Sequence, residues 1–170
     1  ITVNEGIFSY YCNQNTKEKE IESLLSVMGK NIKLEKEEMM DAATALAGSG
    51  PAYLFLFADA MVKAAKKMGF TKDQAETMIK QTIYGSAKML LEAEESFKQM
   101  ISNVASKGGV TEAALNILQE KYSLENIMFE AIEAGSKCSA IIGTDKENGL
   151  PSAIESSSSF IEIYTDGACS

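Results

Sequence analysis

The chain contains no histidine, no tryptophan and no arginine, and among its 170 residues there are only two prolines and three cysteines. Each absence closes off some chemistry. Without histidine the commonest zinc ligand is missing, and Cys12, Cys138 and Cys169 stand far apart with no C-x-x-C spacing, so no metal site and no disulfide framework are expected. Scattered cysteines, odd in number, fit a reduced, cytoplasmic setting. All 16 basic residues are lysines, so the planar guanidinium fork that grips carboxylates and phosphates is lacking, and an anion site must be built from lysine or backbone amides. The net charge of -8 and a pI near 4.7 oppose the phosphate backbone, and no nucleic-acid partner is expected. Long apolar runs are also scarce. The longest, from Ala52 to Ala65, is interrupted by Asp59 and Lys63 and falls short of the roughly 20 residues that a bilayer span requires, so no membrane partner is expected.

What is present is mostly helical in texture. With 45% hydrophobic residues the chain can bury one core, or one core and an appendage. GIFSYYC, from Gly6 to Cys12, reads as a strand. Asn15 stands three before Glu18, a capping-box spacing, and Ile21, Leu24, Leu25 and Met28 then recur at helical intervals. Asn31 to Leu34 alternates like a second strand. Two short strands and a helix do not make a stable sheet, so residues 1–36 are expected to be poorly ordered unless strands come from elsewhere.

From Glu37 the pattern is helix with little interruption. A first helix passes through Met39 and Leu46 and breaks at GSGP, residues 48–51, where proline suits the opening turn of the next helix, Ala52 to Met68. Thr71 and Gln74 have the spacing of a capping box and open a long helix with Ala75, Met78, Ile79, Ile83 and Leu90 on one broad face. Shorter helices are predicted over Phe97 to Ala105 and over Glu112 to Gln119, the latter capped by Thr111, and a last one over Leu124 to Ile142. Residues 143–159 are polar and carry Gly149, Pro151 and a run of four serines, the composition of a linker.

One stretch carries a chemical signal. SKGGVTEAAL, residues 106–115, sets two adjacent glycines before a threonine that opens an alanine-rich run. Successive glycine amides leading into a helix form a concavity able to hold an anion without arginine. By itself such a pair is more often a plain turn.

Three motifs, DAATALAGSGPAY at 41–53, QTIYGSAKMLLE at 81–92 and SKGGVTEAAL at 106–115, resemble pyrroline-5-carboxylate reductase, and they occur in that family's order. The resemblance covers about residues 3–142, with VNEG at 3–6 similar to the tail end of the family's nucleotide-binding domain. It implies a mainly α fold: a helical bundle dimerisation domain of the 6-phosphogluconate dehydrogenase C-terminal-like type, residues 37–142, preceded by a short Rossmann remnant, residues 1–36. It also implies NAD(P)H-dependent reduction of 1-pyrroline-5-carboxylate to proline by a homodimer. The substrate carboxylate would be received by Ser106, Lys107, Gly108, Gly109, Val110 and Thr111, with Thr111 beside the ring nitrogen as the catalytic group. No G-x-G-x-x-G occurs in the sequence, so this chain is expected to be the C-terminal half of such an enzyme, to bind no cofactor and to be inactive alone. Lys107, Ala47 and Glu112 depart from the residues usual in the family, and Glu112 would repel a bound anion if it turned inward. FIEIYTDGACS, residues 160–170, resembles the first strand of ribonuclease H, where the residue matching Asp166 is a metal ligand. Standing alone, that strand is expected to have neither partners nor chemistry. Two alternatives remain open: a relic or structural helical dimer without catalysis, and an accessory part of a ribonuclease H fusion.

Overall fold

Alternation along Gly6–Tyr11 sorts the residues of strand β1 into two faces: Gly6, Phe8 and Tyr10 are buried, while Ile7 is exposed. This computed structural model describes residues 6–12, 18–149 and 162–164. The Asn15 capping box, most of VNEG, the residues following 149 in the expected linker, and Asp166 lie outside the described residues. The chain divides into two compact units, Ile1–Pro51 with Phe129–Ser170, and Ala52–Met128.

In the first unit, helix α1 (Glu18–Ser26) lays Ile21 and Leu25 on Phe8 and Tyr10 of β1, with Cys12 packed against the cluster. Strand β2 (Gly29–Lys33) runs parallel to β1, in register from Gly6 opposite Gly29 to Tyr10 opposite Lys33. The ladder is extended by the Leu34 amide, which donates to the Tyr10 carbonyl at 2.8 Å. The Tyr10 phenol is fully buried and donates to a Glu22 carboxylate oxygen at 2.8 Å. Burial first, and then that carboxylate, hold its pKa well above the usual tyrosine range. Lys33 reaches Glu18 at 2.7 Å and ties β2 to the start of α1.

The expectation that the two strands lack a sheet needs correction, as does the expectation that the tail strand lacks partners. Strand β3 (Glu162–Tyr164) pairs antiparallel with β1, Ser9 opposite Tyr164 and Tyr11 opposite Glu162, giving a sheet of order β2-β1-β3. The second edge of β1 carries backbone donors and acceptors that a partner strand satisfies.

After a short 3-10 turn (Glu37–Met39) come a single α-helical turn, α2 (Met40–Ala43), and a π-helical turn (Thr44–Gly48), with Ser49 alone separating them from α3 (Gly50–Lys67). Thr44 contributes to the wide turn by donating its hydroxyl to the Met40 carbonyl at 3.0 Å. Pro51 sits in the first turn of α3, where its missing N–H is harmless. The break predicted at GSGP is thus a one-residue interruption. As a result, Glu37–Lys67 forms one helical stretch of 31 residues, long and apolar enough by length and composition to cross a membrane, which Ala52–Ala65 taken alone is not. Helix α7 (Leu124–Gly149) likewise continues past Gly143 into the expected linker. The Thr144 hydroxyl, donating to the Ile141 carbonyl at 2.8 Å, keeps the turn after Gly143 closed.

The second unit holds α4 (Lys72–Glu92), α5 (Phe97–Val104), α6 (Val110–Asn116) and a π-helical turn (Ile117–Lys121), together with most of α3. The predicted capping box is formed: the Gln74 amide donates to Thr71 Oγ1 at 3.3 Å, and the Thr71 amide donates to Gln74 Oε1 at 3.0 Å. Lys72 and Lys80 flank Glu76 at 3.6 and 3.1 Å, holding its carboxyl below the usual range, with the Lys80 hydrogen bond the larger cause. Among the described residues of this unit only Ala75 is buried, while Leu54, Phe55, Leu56, Tyr84 and Leu91 are exposed. Such faces demand cover.

Candidate functional site

The loop between α5 and α6 is fixed by its two flanking helices. Ser96 caps α5, accepting from the Gln99 amide at 3.2 Å, and the Ala105 amide closes the last turn on Ile101 at 2.9 Å. The chain then reverses through Ser106–Gly109, with the Gly109 amide donating to the Ser106 carbonyl at 2.9 Å. Gly108 adopts the left-handed conformation, φ 72°, which favours glycine. At Gly109 the constraint is space: a Cβ there would lie 2.5 Å from Ser106 Oγ and 2.8 Å from the Ser106 carbonyl oxygen. Both glycines are therefore required by this turn.

Gly109, not Thr111, is the N-cap of α6, a correction to the predicted start. Once the turn closes at Gly109, Val110 already has helical geometry, and Thr111 is the second residue inside. Gly109 offers no side chain to the first-turn amides of Val110 and Thr111. The six predicted residues, Ser106, Lys107, Gly108, Gly109, Val110 and Thr111, thus form one continuous element. Ser106, Lys107 and Gly108 are exposed, Val110 is 90% exposed, and Gly109 and Thr111 are half-buried.

The electrostatics of the loop depend on Glu112. Its Oε2 accepts from the Gly108 amide at 2.7 Å, so its carboxylate turns back over the loop. A Glu at the third helical position commonly reaches back to the cap; with glycine at the cap it reaches one residue further. Lys88, on α4, faces Glu92 at 3.9 Å with both side chains mostly exposed, a solvated surface pair.

A cavity of about 350 Å³ in the first unit, lined by Thr44, Ala45, Ser49, Gly135, Cys138 and Ser139, has no counterpart in the sequence reading. Its two walls are far apart in sequence and, apart from Ile142, consist of small residues, so no local pattern marks them. No group of three or more potential metal ligands occurs among the described residues.

Comparison with known proteins bears on the same region. The profile of the pyrroline-5-carboxylate reductase dimerisation family matches residues 37–141. Pyrroline-5-carboxylate reductase 2 of Bacillus subtilis is 39% identical over 133 residues, covering 78% of this chain and 46% of the relative. The Aquifex aeolicus reductase is 39% identical over 124 residues, 71% of this chain and 46% of its own length. Among solved structures, a pyrroline-5-carboxylate reductase from Coxiella burnetii superposes with a TM-score of 0.76 at 34% identity, covering 82% of this chain and 52% of that one. The Plasmodium falciparum pyrroline carboxylate reductase with NADP bound gives 0.72 at 34% identity, covering 83% and 56%. The chain spans about half the length of the curated relatives it matches. The matched residues run from the turn before α2 into α7 as far as Ile141 and include the whole 106–111 loop, and the chain belongs to the pyrroline-5-carboxylate reductase dimerisation family.

Proposed function

We propose that these residues form the dimerising, substrate-seating half of a cytoplasmic enzyme that reduces 1-pyrroline-5-carboxylate to proline with NAD(P)H. The observation that carries this reading is the glycine turn at Ser106–Thr111, closed and leading into α6, inside the span matched by the reductase family. The substrate would place its carboxylate against loop and first-turn amides, with Lys107 adding positive charge. Thr111 is the group proposed to hydrogen-bond the ring nitrogen as its charge changes. The residues present do not fit a dinucleotide, because no glycine-rich strand-to-helix turn occurs in the sequence. The nicotinamide is therefore proposed to be held by residues outside these 170, and the chain alone is expected to give no turnover. The exposed apolar faces of α3 and α4 are proposed to be covered by a second copy in a two-fold arrangement.

Calorimetry with L-proline at millimolar concentration tests the seat. Heat that diminishes with Thr111→Ala supports the reading; no heat, or the same heat in both proteins, overturns it. A helical dimer that holds no substrate is the second reading. It is favoured by one observation: the Gly108 and Gly109 amides already have internal partners.

A further inference from the structure

We propose that Glu112 is a built-in competitor for the ligand carboxylate, so that its side chain sets how tightly the 106–111 loop holds a small monocarboxylate. The inference rests on the reading of that loop as a carboxylate seat. Of the loop's two glycine amides, that of Gly109 is closed into the turn, donating to the Ser106 carbonyl at 2.9 Å. Freeing it means moving backbone, because its acceptor is the Ser106 carbonyl of the turn itself. The Gly108 amide differs in kind. Its acceptor is a side-chain carboxylate, Glu112 Oε2 at 2.7 Å, and rotating that side chain exposes the donor without disturbing the turn. An incoming carboxylate offers the amide the same chemistry that Glu112 already supplies, so the two are mutually exclusive.

The charges around the loop increase this effect. A displaced Glu112 stays within a side chain's length of the seat. The loop has one cation, the exposed Lys107, against the Glu112 carboxylate, in a chain of net charge -8 without arginine. Ligand binding thus has to overcome both a lost hydrogen bond and a nearby like charge. Glu112 also favours the N-terminus of α6, which explains how a residue unfavourable to an anion is accommodated in the fold.

The test follows the Gly108 amide by nitrogen-15 NMR in the full chain, in wild type, Glu112→Ala, Glu112→Gln and Thr111→Ala, with and without L-proline. Without ligand, Glu112→Ala is expected to shift the Gly108 amide and speed its exchange while leaving that of Gly109 unchanged. With ligand, Glu112→Ala is expected to tighten proline binding on the order of 3- to 10-fold, and Glu112→Gln by less, since a neutral amide is a weaker acceptor. Glu112→Gln also keeps the side-chain length, so a folding defect confined to the alanine variant leaves the comparison intact. Equal binding by wild type and both Glu112 variants overturns the competition alone. Absence of binding in all of them, or binding indifferent to Thr111→Ala, overturns the carboxylate seat and this inference with it.

Discussion

Replacing Phe55 with aspartate is expected to dissociate the proposed dimer. Phe55 lies on α3 and is 72% exposed, beside the exposed Leu54 and Leu56. A phenylalanine side chain presents about 200 Å², so roughly 140 Å² of it remains to be covered by a partner. At about 25 cal/mol per Å² that burial is worth about 3.5 kcal/mol, and a two-fold interface contains it twice, about 7 kcal/mol per dimer. Ordering two aromatic side chains takes back about 1 kcal/mol each. About 5 kcal/mol remains, more than a thousand-fold in the dimer dissociation constant. Sedimentation from nanomolar to tens of micromolar reads this directly: wild type is expected as a dimer at micromolar concentration, and Phe55→Asp as a monomer or an aggregate. Unfolding of the wild type should depend on concentration, and that dependence should vanish in the variant. A wild-type monomer of about 18 kDa whose unfolding midpoint ignores dilution, or a variant dimer of unchanged affinity, would refute the reasoning.

Thr71→Ala removes one half of the capping box that opens α4; a loss of about 1 kcal/mol is expected, lowering the melting temperature by about 2–4 °C, and an unchanged melting curve would contradict it. Tyr10 has a pKa raised in the folded state by burial and by Glu22, so above about pH 10 the unfolded chain sheds a proton that the native chain keeps, and stability falls as pH rises. Urea midpoints measured from pH 8 to 11 should therefore decline more steeply in wild type than in Tyr10→Phe, and equal slopes would rule out this assignment. Gly109→Ala forces a Cβ onto Ser106 atoms at 2.5 and 2.8 Å; loss of proline binding with unchanged helical content by circular dichroism is expected, and normal binding would show that the turn is not required.

Where a feature depends on a few consecutive residues, the sequence alone was sufficient to find it. Thr71 and Gln74 announce the start of α4 because a capping box is closed within one turn. The short aromatic and β-branched run from Gly6 to Cys12 announces β1 because such side chains suit an extended, half-buried backbone. The loop at 106–111 was legible as a chain reversal because paired glycines directly before an alanine-rich helical run mark a turn. The family motifs made its proposed chemistry legible as well. Other features were decided only by contacts between segments distant in the chain, or by geometry that several residues share. Pairing of β3 with β1 joins residues about 150 apart, and the cavity between the 44–49 turn and α7 joins mostly small side chains that carry no pattern of their own. The run of α7 past Gly143 and the near-continuity of Glu37–Lys67 rest on hydroxyl-to-carbonyl bonds and a π-helical turn that composition does not reveal. At the candidate site, sequence placed Glu112 beside the loop but left its direction open. The cap moved from Thr111 to Gly109 once the turn closed on Ser106, which made Glu112 the third helical residue and aimed its carboxylate at Gly108. That direction is a property of the folded turn, because it depends on the left-handed Gly108 and the missing side chain at Gly109 acting together.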